Sequence, residues 1–146
     1  MAEKLSFGTS VREYTLNDLC TVAFSPTDSF FAEKLFNVFD SLSVKQDEYE
    51  KQVKNAMGNR EIFDIARTRD AEMREMINGI FGQDVCSSLF PNRSVYAMED
   101  GLPEWCNLLL TVMDVMDDKL VTEQKAQSPR VQKYTSKYKK YQQYHK

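Results

Sequence analysis

The spacing of apolar positions changes near residue 25. Before it, KLSFG, VREYT and LCTVAF are short, β-branched and aromatic-rich runs separated by the turn-prone GTS and LND, and they predict strands within residues 4–24. In the third run Leu19, Thr21 and Ala23 alternate with Cys20, Val22 and Phe24. Both sides are fairly apolar, so one is expected against a helix and the other against a second copy of the chain. A hairpin or three-strand meander of this size is not stable alone and must pack on something.

After residue 25 the period becomes helical. SPTD predicts a start in which Ser25 caps, Pro26 takes the first helical position and Asp28 completes a capping box near the positive end of the helix dipole. Phe31, Leu35, Val38, Phe39 and Leu42 then form a core-facing stripe, giving a helix over about 26–42. A more charged helix follows over 44–57, with Val44, Tyr49, Val53, Ala56 and Met57 as a narrow stripe, before Gly58-Asn59. From 60 to 81, Ile62, Ala66, Met73, Met76, Ile77, Ile80 and Phe81 keep one face, and Gly82 is placed to close the helix. Its RTRDAEMRE stretch has charges three and four apart, which suit an exposed face.

Residues 83–101 read as a long loop that folds back on the core through Val85, Leu89, Phe90, Val95, Tyr96 and Met98. The last body helix, over 103–124, opens with Pro103 and Glu104. It is the most apolar, with Trp105, Leu108, Leu109, Val112, Met113, Met116 and Leu120 on one broad face and Leu110 and Val115 on its flanks. Ser128-Pro129 sets its latest end. The expected fold is therefore α+β, mostly α: an N-terminal hairpin or meander and three or four helices in one domain, 1–128, with a tail at 129–146.

Charge sharpens the view of that tail. Residues 125–146 hold seven of the 19 Lys and Arg and none of the 22 Asp and Glu, so the other 124 residues carry 12 bases against 22 acids, a net of −10. A body this acidic repels phosphate, which ranks nucleic acid behind protein as the tail's partner. Tyr134, Tyr138, Tyr141 and Tyr144 recur at helical spacing among lysines that include Lys137 and Lys140. Tyrosine and lysine together could stack bases, but they equally suit docking on an acidic neighbour.

Candidate chemistry is sparse. The only histidine, His145, is the penultimate residue, where fixed geometry and a tuned pKa are not available to a general base. Cys20, Cys86 and Cys106 are scattered without metal spacing and read as reduced thiols of a cytosolic protein. Asp114 and Asp118 stand one turn apart, but no histidine joins them, and a solvated edge accounts for them. No nucleophile–base pair or phosphate-cradling glycine loop is present. An enzyme and a cofactor are not expected. The start, MAEKLSF, lacks a secretory h-region, and no apolar run is long enough to span a membrane.

Three strings, FSPTDSFFAEKLFNVFDSL, NREIFDIARTRDAEMREMINGIFG and MEDGLPEWCNLLLTVMDVMD, resemble a family of small tail-morphogenesis proteins of phages and prophages of Gram-positive gut bacteria. The resemblance runs from about Ser6 to Tyr138 and is tail-assembly-chaperone-like. It implies a non-enzymatic, oligomeric protein of the host bacterial cytoplasm that binds a tape-measure or other tail protein. An inhibitor of a host defence protein, or a nucleotide sponge, is the competing expectation. On the chaperone reading the partner contacts are expected at Phe30, Phe31, Trp105, Leu110 and Met113, and at Tyr134, Tyr138, Tyr141, Tyr144, Lys137 and Lys140 of the tail. Core packing is the commoner cause of the Trp105–Met113–Met116 spacing.

Overall fold

A computed structural model describes residues 1–126 and 129–144, with the side chains of Gln132 and of 138–144 outside the description. Helix accounts for 61% of the chain beside a small N-terminal hairpin, so the fold is α+β and mostly α. Strands β1 (Arg12–Leu16) and β2 (Cys20–Phe24) pair antiparallel, with Tyr14 opposite Val22. Asn17 and Asp18, both at positive φ, make the turn between them, closed by the Leu19 amide donating to the Leu16 carbonyl at 2.9 Å. Two positive φ values in succession suit the right-handed twist of a hairpin. Val22 and Phe24 face inward, whereas Thr21 and Ala23 face solvent.

KLSFG, expected as a third strand, is not one: residues 1–9 adopt no regular structure, and Leu5 and Phe7 are exposed. Strand propensity expresses the fit of a side chain to a half-buried pleated surface, and the hairpin presents none at that edge.

The helices follow as α1 (Ser29–Asp40), α2 (Leu42–Lys54) and α3 (Asn59–Phe81). The cap of α1 is Asp28, whose Oδ1 accepts from the Phe30 amide at 3.1 Å. Ser25 instead donates its hydroxyl to Ser10 at 2.7 Å, and the Ser25 carbonyl accepts from the Asp28 amide. The helix therefore begins three residues later than its sequence signal suggests, because a turn with Pro26 buried in it comes first. Ser41 alone separates α1 from α2. Gly82, at φ 69°, ends α3 in the left-handed conformation that glycine adopts without strain.

The connection from 83 to 103 is more ordered than a loop. It holds the short helix α4 (Cys86–Leu89) and a second hairpin, β3 (Met98–Glu99) with β4 (Leu102–Pro103), turned by Asp100 and Gly101. Helix α5 (Glu104–Lys125) follows, and α6 (Pro129–Tyr144) occupies the tail.

The core gathers Phe31, Leu35 and Val38 of α1, Met73, Ile77 and Ile80 of α3, and Trp105, Leu109 and Val112 of α5 around Val22 and Phe24. Val85, Cys86, Leu89, Phe90 and Val95 of the connection fill its other side. A run of stacked rings, Tyr14 on Phe24 at 4.7 Å and Phe24 on Phe31 at 4.4 Å, fastens the hairpin to α1. Helix α2 has no fully buried residue; Leu42 packs half-buried against the core, and a polar contact adds to it. The Arg69 guanidinium of α3 lies between the rings of Tyr49 on α2 and Tyr96 of the connection, 3.9 and 3.6 Å from their centroids, and donates to Gln46 of α2.

Candidate partner-docking surface

The expected contact residues separate into three groups. Phe31 and Trp105 are core: Trp105 is fully buried between Phe39 and Tyr96, and Phe31 sits in the ring stack. Neither is available to a partner, which corrects the expectation, and the cause is that both lie on the inward stripe of their helix. Phe30, Leu110, Tyr134 and Lys137 are exposed, and Met113 is half-buried. Tyr138, Tyr141, Tyr144 and Lys140 lie within α6, their side chains outside the described residues.

Met113 belongs to a groove between α1 and α5, an open cavity of about 350 Å³. Ala32, Leu35 and Phe36 form one wall, Met113 and Met116 the other, and Glu33 and Asp117 stand at the rim. Leu35 closes the floor, while Phe36, one position along the helix, stays 63% exposed. Each wall has its own origin in the sequence. On α1 the pair Ala32 and Phe36, four apart, forms a second, weaker apolar row beside the core stripe. On α5 the core stripe continues past Val112 as Met113 and Met116, which pack half-buried against the core and line the groove with their remaining surface.

From Asp117 onward every residue of α5 is exposed, so Leu120 and Val121 extend the apolar strip beyond the groove. An aromatic ring and two thioethers make an adaptable surface, and the acids at its rim add preference for a basic partner. Met113 is among the residues expected at a contact, whereas Phe36 is covered only by the wider expectation for the exposed part of the Phe30–Phe39 helix. The available signal was the FFAEKLF run, whose aromatic residues are too many for one face.

Two other clefts differ in chemistry. The first, of about 80 Å³, is lined by Lys45, Tyr49, Arg69 and Tyr96. It is well below the roughly 300 Å³ at which small-molecule pockets begin, and Arg69 has both faces covered by tyrosine. The second, of about 590 Å³, lies between the hairpin turn and the start of α5, and holds Leu110, Asn107 and Thr111. Its one cation among the described residues, Arg93, is already held by Glu104 at 2.7 Å, and Glu99, Asp100 and Asp114 make the lining acidic. That field opposes an anionic nucleotide.

The thiols are quiet. Burial pushes Cys86 up to about 12 and Cys106 up to about 11. Burial also raises Cys20. Among the described residues, no three His, Cys, Asp or Glu side chains are grouped to hold a metal ion, and no helix is long and apolar enough to cross a membrane. No family model, curated protein or solved structure matches the chain.

Proposed function

We propose that the protein works by protein–protein contact through the α1/α5 groove, as a tail-assembly-chaperone-like factor that holds a helical tail protein such as a tape measure. The observation that carries the contact reading is the uncovered apolar groove of Leu35, Phe36, Met113 and Met116, continued by Leu120 and Val121 along α5. An amphipathic client helix presents apolar side chains every three or four residues, and a strip of this kind receives them as helix-in-groove recognition does. The tail-chaperone part of the proposal rests on the resemblance of the three sequence strings. The acidic lining of the cleft of about 590 Å³ beside Arg93 weighs against an anionic-nucleotide sponge at that cleft.

Co-expression with a tape-measure protein tests this function. A soluble complex that copurifies is expected. A tape measure that precipitates to the same extent with and without this protein overturns the chaperone reading.

A further inference from the structure

Among the described side chains, two apolar surfaces of the same chain are exposed: the α1/α5 groove and the Val131–Tyr134 pair of α6. On α6, Val131 is 63% and Tyr134 45% exposed, and Arg130, Lys133 and Lys137 around them are exposed as well. A helix of 16 residues is marginal in water unless it packs on something. The two strips are complementary in charge. The groove has Glu33 and Asp117 at its rim, with Asp114 and Asp118 on the same helix, whereas α6 is basic and carries no acid.

We propose that the groove of one chain receives α6 of a second copy, so that two chains exchange their C-terminal helices in a symmetric dimer. The proposal rests on the reading of the α1/α5 groove as the contact surface. Only residues 126–128 separate α5 from α6, and short connections of this kind favour exchange between copies. Exchange fills both grooves at once and places Lys133 and Lys137 beside the rim acids. Tyr134 supplies the apolar anchor with little rotamer entropy to lose. A tail helix so placed occupies the site proposed for the client, so client binding and self-association compete.

The test uses full-length chains carrying point changes at exposed positions. A groove variant, Phe36→Glu, and a tail variant, Tyr134→Asp with Lys137→Glu, are each compared with the unaltered protein by sedimentation, with circular dichroism to check folding. The unaltered protein is expected to be a dimer whose dissociation constant rises about tenfold or more between 50 and 500 mM salt, a loss of about 1.4 kcal/mol. Each variant alone is expected to be monomeric. Mixed with differently tagged partners, the two variants are expected to copurify, because the intact groove of one accepts the intact tail of the other.

A monomeric unaltered protein overturns the exchange. So does a dimer indifferent to both variants, or variants that each dimerise alone. Failure of the variants to pair when mixed also overturns it. None of these outcomes bears on co-expression with a tape measure, so failure of the exchange and failure of the chaperone reading are separable.

Discussion

Arg74 and Asp70, one turn apart on α3, join at 2.8 Å and together hold the 83–103 connection against the body. Arg74 also donates to the carbonyls of Phe90 at 2.8 Å and Arg93 at 2.6 Å, and the other Asp70 oxygen accepts from the Val95 amide at 2.7 Å. Both side chains are about three-quarters or more covered, at 24% and 21% exposure, so water replaces these bonds poorly. Arg74→Ala is expected to destabilise the fold by about 2–3 kcal/mol, below the value for a fully buried pair. Arg74→Lys recovers only part, since an ammonium lacks the planar fork. Urea unfolding of the two variants measures the difference.

Arg69 should act differently, on one element. With no fully buried residue on α2, the guanidinium held between Tyr49 and Tyr96 ties it to α3 beside the half-buried packing of Leu42. Arg69→Ala is expected to cost about 1–2 kcal/mol and to raise amide exchange across Leu42–Lys54 while the α3 and α5 core amides stay protected. Uniform loss of protection would contradict a local role.

The second hairpin turns on Gly101 at φ 79°, where a side chain is strained although space is open around it. Gly101→Ala is expected to cost about 1 kcal/mol. At the first hairpin Asp18, at φ 56°, already has a positive φ without being glycine. Asp18→Gly is expected to leave stability unchanged or raise it by about 0.5 kcal/mol, the opposite sign. Thermal melts of the pair decide this.

For the cysteines the sign follows from burial. A thiol whose folded pKa lies above its unfolded value near 9 stabilises the fold fully below pH 9, and that contribution is lost as pH rises toward the folded values of about 12 for Cys86 and about 11 for Cys106. At pH 8.5 burial keeps Cys86 almost entirely in the unreactive thiol form. Native protein is therefore expected to resist iodoacetamide at Cys86 and Cys106, with both alkylated in urea. Rapid native labelling of Cys86 would contradict its placement.

How far the sequence anticipates this structure depends on whether the deciding interaction is local. The Gly82 cap, the α3 stripe and the inward face of α5 from Trp105 to Val112 depend on spacing within one helix and appear where the pattern puts them, whereas Leu120 of the same expected face is exposed. Asp28 displaces Ser25 as cap because Ser25 is engaged by Ser10, fifteen positions away. Asp70 and Arg74 look like ordinary surface charges at helical spacing, and only the returning connection gives them backbone partners. The groove at Phe36 is non-local in the same way, because its other wall, Met113 and Met116, comes from α5.

The central claim is that the groove holding Phe36 is where a protein partner sits. The most direct measurement is capture of a tape-measure protein by the Phe36→Glu variant beside Phe63→Glu, a control of similar exposure at 59% on α3. Capture is expected to fall at least tenfold for Phe36→Glu and to persist for Phe63→Glu. Equal capture by the two variants would contradict the claim.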